Sequence, residues 1–148
     1  MIKKILVPYD FTKFADTAFE KAVEIAEKFD AEVILLTVIG GDVDTSGMSF
    51  SRAQEVQDER EDKTKQDLEM IKNSGKYQDL NISVEIINNP STVDGIIGFV
   101  DKNNIDLIVM GSHGRSGVKK LVLGSVASEV TTKANCQVLI AKLPKSKN

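Results

Sequence analysis

The sequence predicts an α/β protein: an open five-stranded parallel sheet with helices on both faces. Two observations predict it. Short apolar, β-branched runs alternate with stretches of helical period along the whole chain. Two of those runs, Ala31–Ile39 and Ile105–Met110, are almost continuously apolar, as strands buried on both faces are.

Each element has its own signal. Ile2–Tyr9 reads as the first strand, ended by Pro8-Tyr9-Asp10. Phe14, Ala15, Ala18, Ala22, Ile25, Ala26 and Phe29 then mark one face of an amphipathic helix, with Thr12 as its N-cap. Ala31–Ile39 is the second strand, and Gly40–Ser49, rich in Gly, Asp, Ser and Thr, is a loop. Arg52–Lys72 reads as a charged, solvated helix with few apolar anchors and i,i+4 pairs Glu59–Lys63 and Glu61–Lys65; Gly75 stops it. Ile82, Val84 and Ile86 alternate with polar residues as a third strand. After the turn Asn88–Ser91, a helix capped by Ser91 runs to Asn103-Asn104. Ile105–Met110 is the fourth strand, and Gly111–Gly117 a glycine-rich loop. A helical stretch from Val118 to Ala134, interrupted at Gly124-Ser125, precedes the last strand, Gln137–Leu143, and a basic tail.

Composition narrows the function. The 148 residues suit one domain spanning 1–148, and 19 Lys+Arg against 22 Asp+Glu leave a net charge of -3. That balance speaks against nucleic acid as a partner, which would need phosphate-neutralising cations. Cys136 is the only cysteine and His113 the only histidine, so neither a disulfide nor a His/Cys metal site is expected. Cys136 itself reads as a small buried hydrophobe. The longest apolar stretch, Val33–Ile39, is far short of the about 20 residues that span a bilayer. Ile5–Val7 is too short for the apolar core of a signal peptide, so a cytoplasmic protein away from membranes is expected.

In open α/β sheets the chemistry lies in the loops that follow the strands. Two loops stand out: Pro8–Thr12, and Gly111-Ser112-His113-Gly114-Arg115-Ser116-Gly117. In a 3-2-1-4-5 strand order they are neighbours. In a 2-1-3-4-5 order the first strand would instead meet the third, and the residues alone leave both orders open. Gly111, Gly114 and Gly117 would let backbone approach a ligand and adopt positive φ. Ser125, read as the N-cap of the next helix, would bring free N–H groups and a positive dipole end to an anion. Arg115 is either a phosphate-steering group or a surface charge. His113 has no acidic neighbour in sequence to orient it as a base.

The usual nucleotide fingerprints are missing: there is no G-x-x-x-x-G-K-[ST], and no G-x-G-x-x-G follows the first strand. A receiver domain is excluded because the third strand ends in Ile87-Asn88 rather than an Asp, and only Asp10 follows the first strand.

Gly111-x2-Gly114-x9-Gly124-Ser125 resembles the G-x2-G-x9-G-[ST] pattern of the ATP-binding branch of the universal stress protein family. The likeness covers nearly the whole chain. It includes Ile5-Leu6-Val7-Pro8-x-Asp10, the Ala-rich first helix, Asp106 to Arg115, and Cys136-x-Val138-Leu139-Ile140.

The resemblance implies a Rossmann-like 3-2-1-4-5 sheet and a homodimer through the last strand, Gln137–Leu143. It also implies an adenine nucleotide (ATP, ADP or AMP) between the loops after strands 1 and 4. Asp10 would then contact the adenosine part, Pro8 and Val38 would line the adenine slot, and Met110 and Gly111 would border ribose and phosphates. Gly114, Gly124 and Ser125 would hold the phosphates, with Val126 N–H adding to the helix end and Mg²⁺ or Mn²⁺ bridging them. The protein would be a nucleotide-gated regulator in stress response with a regulatory protein partner. A slow ATP hydrolase and a nucleotide-independent interaction protein are the competing readings. Three residues depart from the family pattern: Gln137 replaces a common proline, Tyr9 is bulky beside the adenine slot, and Phe11 stands where a small residue is usual.

Overall fold

The computed structural model describes residues 1–41, 43–114 and 122–144. The element order is β1 (Lys4–Pro8), α1 (Lys13–Phe29), β2 (Glu32–Ile39), α2 (Phe50–Lys72), β3 (Ile82–Asn88), α3 (Thr92–Asn103), β4 (Leu107–Gly111), α4 (Ser125–Lys133) and β5 (Gln137–Ala141). The five strands form one parallel sheet in the order β3-β2-β1-β4-β5. The pairing of β1 with both β2 and β4 decides between the two orders that the residues alone left open.

Alternation along the strands splits the core in two. Ile5, Val7, Val33, Leu35 and Val109 face α1 and Leu68 of α2; Leu6, Ile34, Leu36, Ile108 and Met110 face α3 and α4. α1 meets the sheet through Ala15, Ala18, Ala22 and Ala26, whose small side chains let a helix lie close to a flat surface, and Phe19 fills the remaining space. α2 buries only Leu68, in keeping with its charged sequence.

Caps settle the helix ends. The Thr12 hydroxyl accepts from Ala15 N–H, Ser49 from Arg52 N–H and Ser91 from Asp94 N–H. Ser49 thus starts α2 at Phe50, two residues before the expected Arg52. Asp30 and Asn104 close α1 and α3 in the left-handed region, where short polar side chains are tolerated. Along α2, Lys63 pairs with Asp67 at 3.1 Å rather than with Glu59. β5 ends at Ala141, short of the expected Leu143. The first part of the stretch read as helical from Val118 lies outside the described residues, as do Lys145 and Lys147. Among the described residues, no helix is long and apolar enough to cross a membrane.

Candidate functional site

The site begins where two neighbouring strands part. β1 follows β2 in register from Lys4–Glu32 to Pro8–Leu36, but it pairs with β4 only at Ile5–Leu107 and Leu6–Ile108. Beyond Leu6 and Ile108 the two strands separate towards their carboxyl ends. Helices α1 and α2 cover one face and α3 and α4 the other, so this is the point at which the winding reverses.

A cavity of about 380 Å³ opens there, within the range of small-molecule sites. Pro8, Tyr9 and Asp10 line it from β1, and Leu36, Thr37 and Val38 from β2. Met110, Gly111, His113 and Gly114 close it from β4 and its loop, and Gly124 to Ala127 from the start of α4. Ala15 of α1, Gly41, Arg60 of α2, Pro90, and Thr92 and Ile96 of α3 also line it.

The loop after β1 is held rigidly. Tyr9 N–H donates to Leu36 C=O at 2.8 Å, and the buried Thr37 hydroxyl donates to Tyr9 C=O at 2.7 Å. Both backbone groups of Tyr9 are thereby fixed to β2. The Tyr9 phenol donates to Asp16, and burial, with that bond, pushes its pKa well above the usual value. Phe11 then turns the chain with φ 64°, a left-handed conformation costing a bulky residue about 1–2 kcal/mol. Its ring meets that of Tyr9 edge-on at 4.9 Å. Asp10 Oδ1 accepts from Thr12 Oγ1 at 2.6 Å and from Thr12 N–H at 3.2 Å. One threonine therefore caps α1 and orients the carboxylate in the cavity.

The loop after β4 owes its shape to close approach. None of Gly111, Gly114 and Gly124 has positive φ, contrary to the expectation for the first two. A Cβ on Gly111 would lie 2.7–2.8 Å from Phe14 atoms, two of them backbone. On Gly124 it would lie 3.0 Å from Ser112 O and 3.2 Å from His113 Cα. The glycines bring α1, the loop and α4 within reach of one another. Gly117 and Arg115 lie outside the described residues.

α4 differs from the expectation by one residue. Its N-cap is Gly124, and Ser125 is the first helical residue. Among the described residues, no side-chain hydrogen bond caps this helix. The backbone N–H groups of its first turn, Ser125 to Ala127, stand at the cavity wall with the positive end of the dipole behind them. Donors so placed suit an anion.

The match that decides the family spans residues 1–142, against the model of the universal stress protein family. This chain belongs to the universal stress protein family. Universal stress protein MJ0531 of Methanocaldococcus jannaschii is 33% identical over 149 residues, covering 98% of this chain and 85% of the relative. Among solved structures, universal stress protein UspA from Lactobacillus plantarum superposes with a TM-score of 0.80 at 26% identity, covering 94% of this chain and 97% of that one. More distant members share the fold at 19% identity. One was solved in complex with cAMP (TM-score 0.62, covering 97% and 98%), and one from Archaeoglobus fulgidus with dAMP (0.59, covering 95% and 97%).

In this universal stress protein, nine of the ten residues singled out in the sequence gather on the one cavity: Pro8, Asp10, Val38, Met110, Gly111, Gly114, Gly124, Ser125 and Val126. Arg115 is the tenth. The sequence reading missed Thr37 and Arg60. Thr37 hides inside an apolar run, and its polar position there was the one available signal. Arg60 sits on a helix that reads as solvated, and nothing in its surroundings marks it.

Proposed function

We propose that this universal stress protein binds an adenine nucleotide, ATP or its ADP and AMP forms, in the crevice between the loops after β1 and β4. The observation that carries the reading is the uncapped N-terminus of α4, facing a cavity ringed by Gly111, Gly114 and Gly124. Such a cradle fits phosphate oxygens, which accept from backbone N–H groups and need room that a Cβ would fill. At the other end, Pro8, Val38 and Met110 supply apolar walls for adenine, and Asp10 a carboxylate for the ribose hydroxyls. Gly111 borders the ribose and phosphates, Gly114, Ser125 and Val126 hold the phosphates, and Arg115 steers them. Mg²⁺ or Mn²⁺ would accompany the phosphates and screen their charge.

The protein acts as a nucleotide-gated regulatory homodimer in a cytoplasmic stress response, passing the bound state to a protein partner. β5 is one of the two edges of the sheet, with Val138, Leu139 and Ile140 only half-buried, and an edge of that kind favours pairing with a second copy. Slow ATP hydrolysis is the weaker reading. Both ring nitrogens of His113 are engaged, Nε2 with Val122 O and Nδ1 with Ser112 Oγ, so the ring is poorly placed to take a proton from water.

Mass spectrometry of small molecules released on denaturing freshly purified protein tests the reading. Co-purified ATP, ADP or AMP supports it. No nucleotide, together with no binding of added ATP and Mg²⁺, overturns it.

A further inference from the structure

His113 makes contacts that the nucleotide reading does not use. Its Nε2 lies 2.7 Å from Val122 O, nine residues on. A carbonyl oxygen only accepts, so Nε2 carries the proton. In the neutral ring Nδ1 then accepts from Ser112 Oγ at 3.0 Å. The Phe14 ring packs against the imidazole, centroids 5.3 Å apart and tilted by 49°. One residue before His113, Ser112 O accepts from Gly124 N–H at 2.7 Å. Two short bonds therefore join the end of β4 to the two sides of residue 123. One ends at Val122 and the other at Gly124, the N-cap of α4.

We infer that His113 is a positioning residue, a latch that holds the N-terminus of α4 in place for an anionic phosphate chain. The inference rests on the nucleotide reading and adds a residue that acts through others. Ser112 and Phe14 hold the imidazole, the imidazole holds Val122, and Val122 and Ser112 together set where Gly124 begins the helix. The donors of Ser125 to Ala127 are then ordered before the ligand arrives, so binding does not have to bear that cost. Without the imidazole, the Nε2 bond to Val122 O is lost, and the Gly124–Ser112 bond and the core packing of Leu123, Val126 and Ala127 remain at the start of α4. Glutamine can restore the donor, since its side-chain NH₂ reaches about as far as Nε2. Alanine cannot.

The test is calorimetric titration of ATP and of adenosine into the wild type, His113→Ala and His113→Gln, with amide hydrogen exchange of Gly124 measured without nucleotide. His113→Ala is expected to weaken ATP about tenfold and adenosine less than about twofold, and to speed Gly124 exchange about tenfold. His113→Gln is expected to recover most of both effects. Equal losses for ATP and adenosine, no loss at all, or unchanged Gly124 exchange would overturn the latch. Glutamine behaving as alanine does would overturn it too. A wild type that ignores ATP overturns the nucleotide reading instead. That outcome differs visibly from a failed latch, in which wild type and His113→Ala bind ATP equally.

Discussion

A Cβ placed on Gly114 would lie 3.2 Å from Oδ2 of Asp10. The loops after β1 and β4 meet at this point, and the space between them is where the two ends of a nucleotide would join. Gly114→Ala needs no positive φ, and its close neighbour is the end of a side chain. The variant is expected to fold with a stability change below about 1 kcal/mol while ATP affinity falls at least about tenfold. Thermal unfolding and calorimetric titration of the same preparation separate the two effects.

Gly111→Ala is expected to behave in the opposite way. Its Cβ would meet the carbonyl carbon and oxygen of Phe14 at 2.8 Å, and backbone inside a packed helix has little room to give. A loss of about 3 kcal/mol is expected in urea unfolding, whether or not nucleotide is present.

Thr12 joins stability to the site, because its hydroxyl accepts from Ala15 N–H and donates to Asp10. Thr12→Ala is expected to cost about 1 kcal/mol and to weaken ATP severalfold, because the carboxylate loses the hydroxyl bond at 2.6 Å and keeps the backbone N–H bond at 3.2 Å. Thr12→Ser keeps both bonds and is expected to stay close to wild type in unfolding and binding.

Tyr9 predicts an alkaline limit. Burial and the bond to Asp16 hold the phenol protonated, so its folded-state pKa lies above the unfolded value of about 10. Its contribution is complete below about pH 10 and is lost as pH rises towards the folded value, by at most about 1.4 kcal/mol per pH unit. Tyr77 is shifted the same way, chiefly by burial. Denaturant unfolding between pH 9 and 11 is expected to show stability falling with pH, and falling less steeply in Tyr9→Phe.

Arg60 of α2 is among the residues that line the cavity. Arg60→Ala is expected to weaken ATP severalfold at low ionic strength and little at 1 M salt, where charges are screened within about 3 Å. Titrations at the two salt concentrations check this.

Much of this was legible in the sequence, for physical reasons. The buried runs of β2 and β4 announce parallel strands because no polar face interrupts them. Thr12, Ser49 and Ser91 have the hydroxyls that caps require, although Ser49 escaped notice beside the loop. Other features depend on distance in space. Strand order was open from the residues alone, since periodicity says nothing of which strand lies beside which. Gly124 and Ser125 both suit an N-cap, so the frame of α4 was ambiguous by one residue. Gly111 and Gly114 suit both close approach and positive φ by residue type; the structure uses their lack of a side chain and not the freedom of φ. Arg60 reaches the cavity only because α2 packs over β2 and β3, and a charged helix face carries no trace of that. Cys136 packs against the second core cluster but is only half-buried, less than the buried hydrophobe its sequence suggests, and burial raises its thiol pKa.

The central claim is that the crevice between β1 and β4 holds an adenine nucleotide by its phosphates. Calorimetric titration of nucleotide-free protein with ATP and Mg²⁺ tests it most directly, with Gly114→Ala as the matched control. The account predicts saturable binding of one ATP per chain, competed by ADP and AMP and weakened at least about tenfold in the folded variant. Absence of binding to the wild type, or equal binding to both proteins, would contradict it.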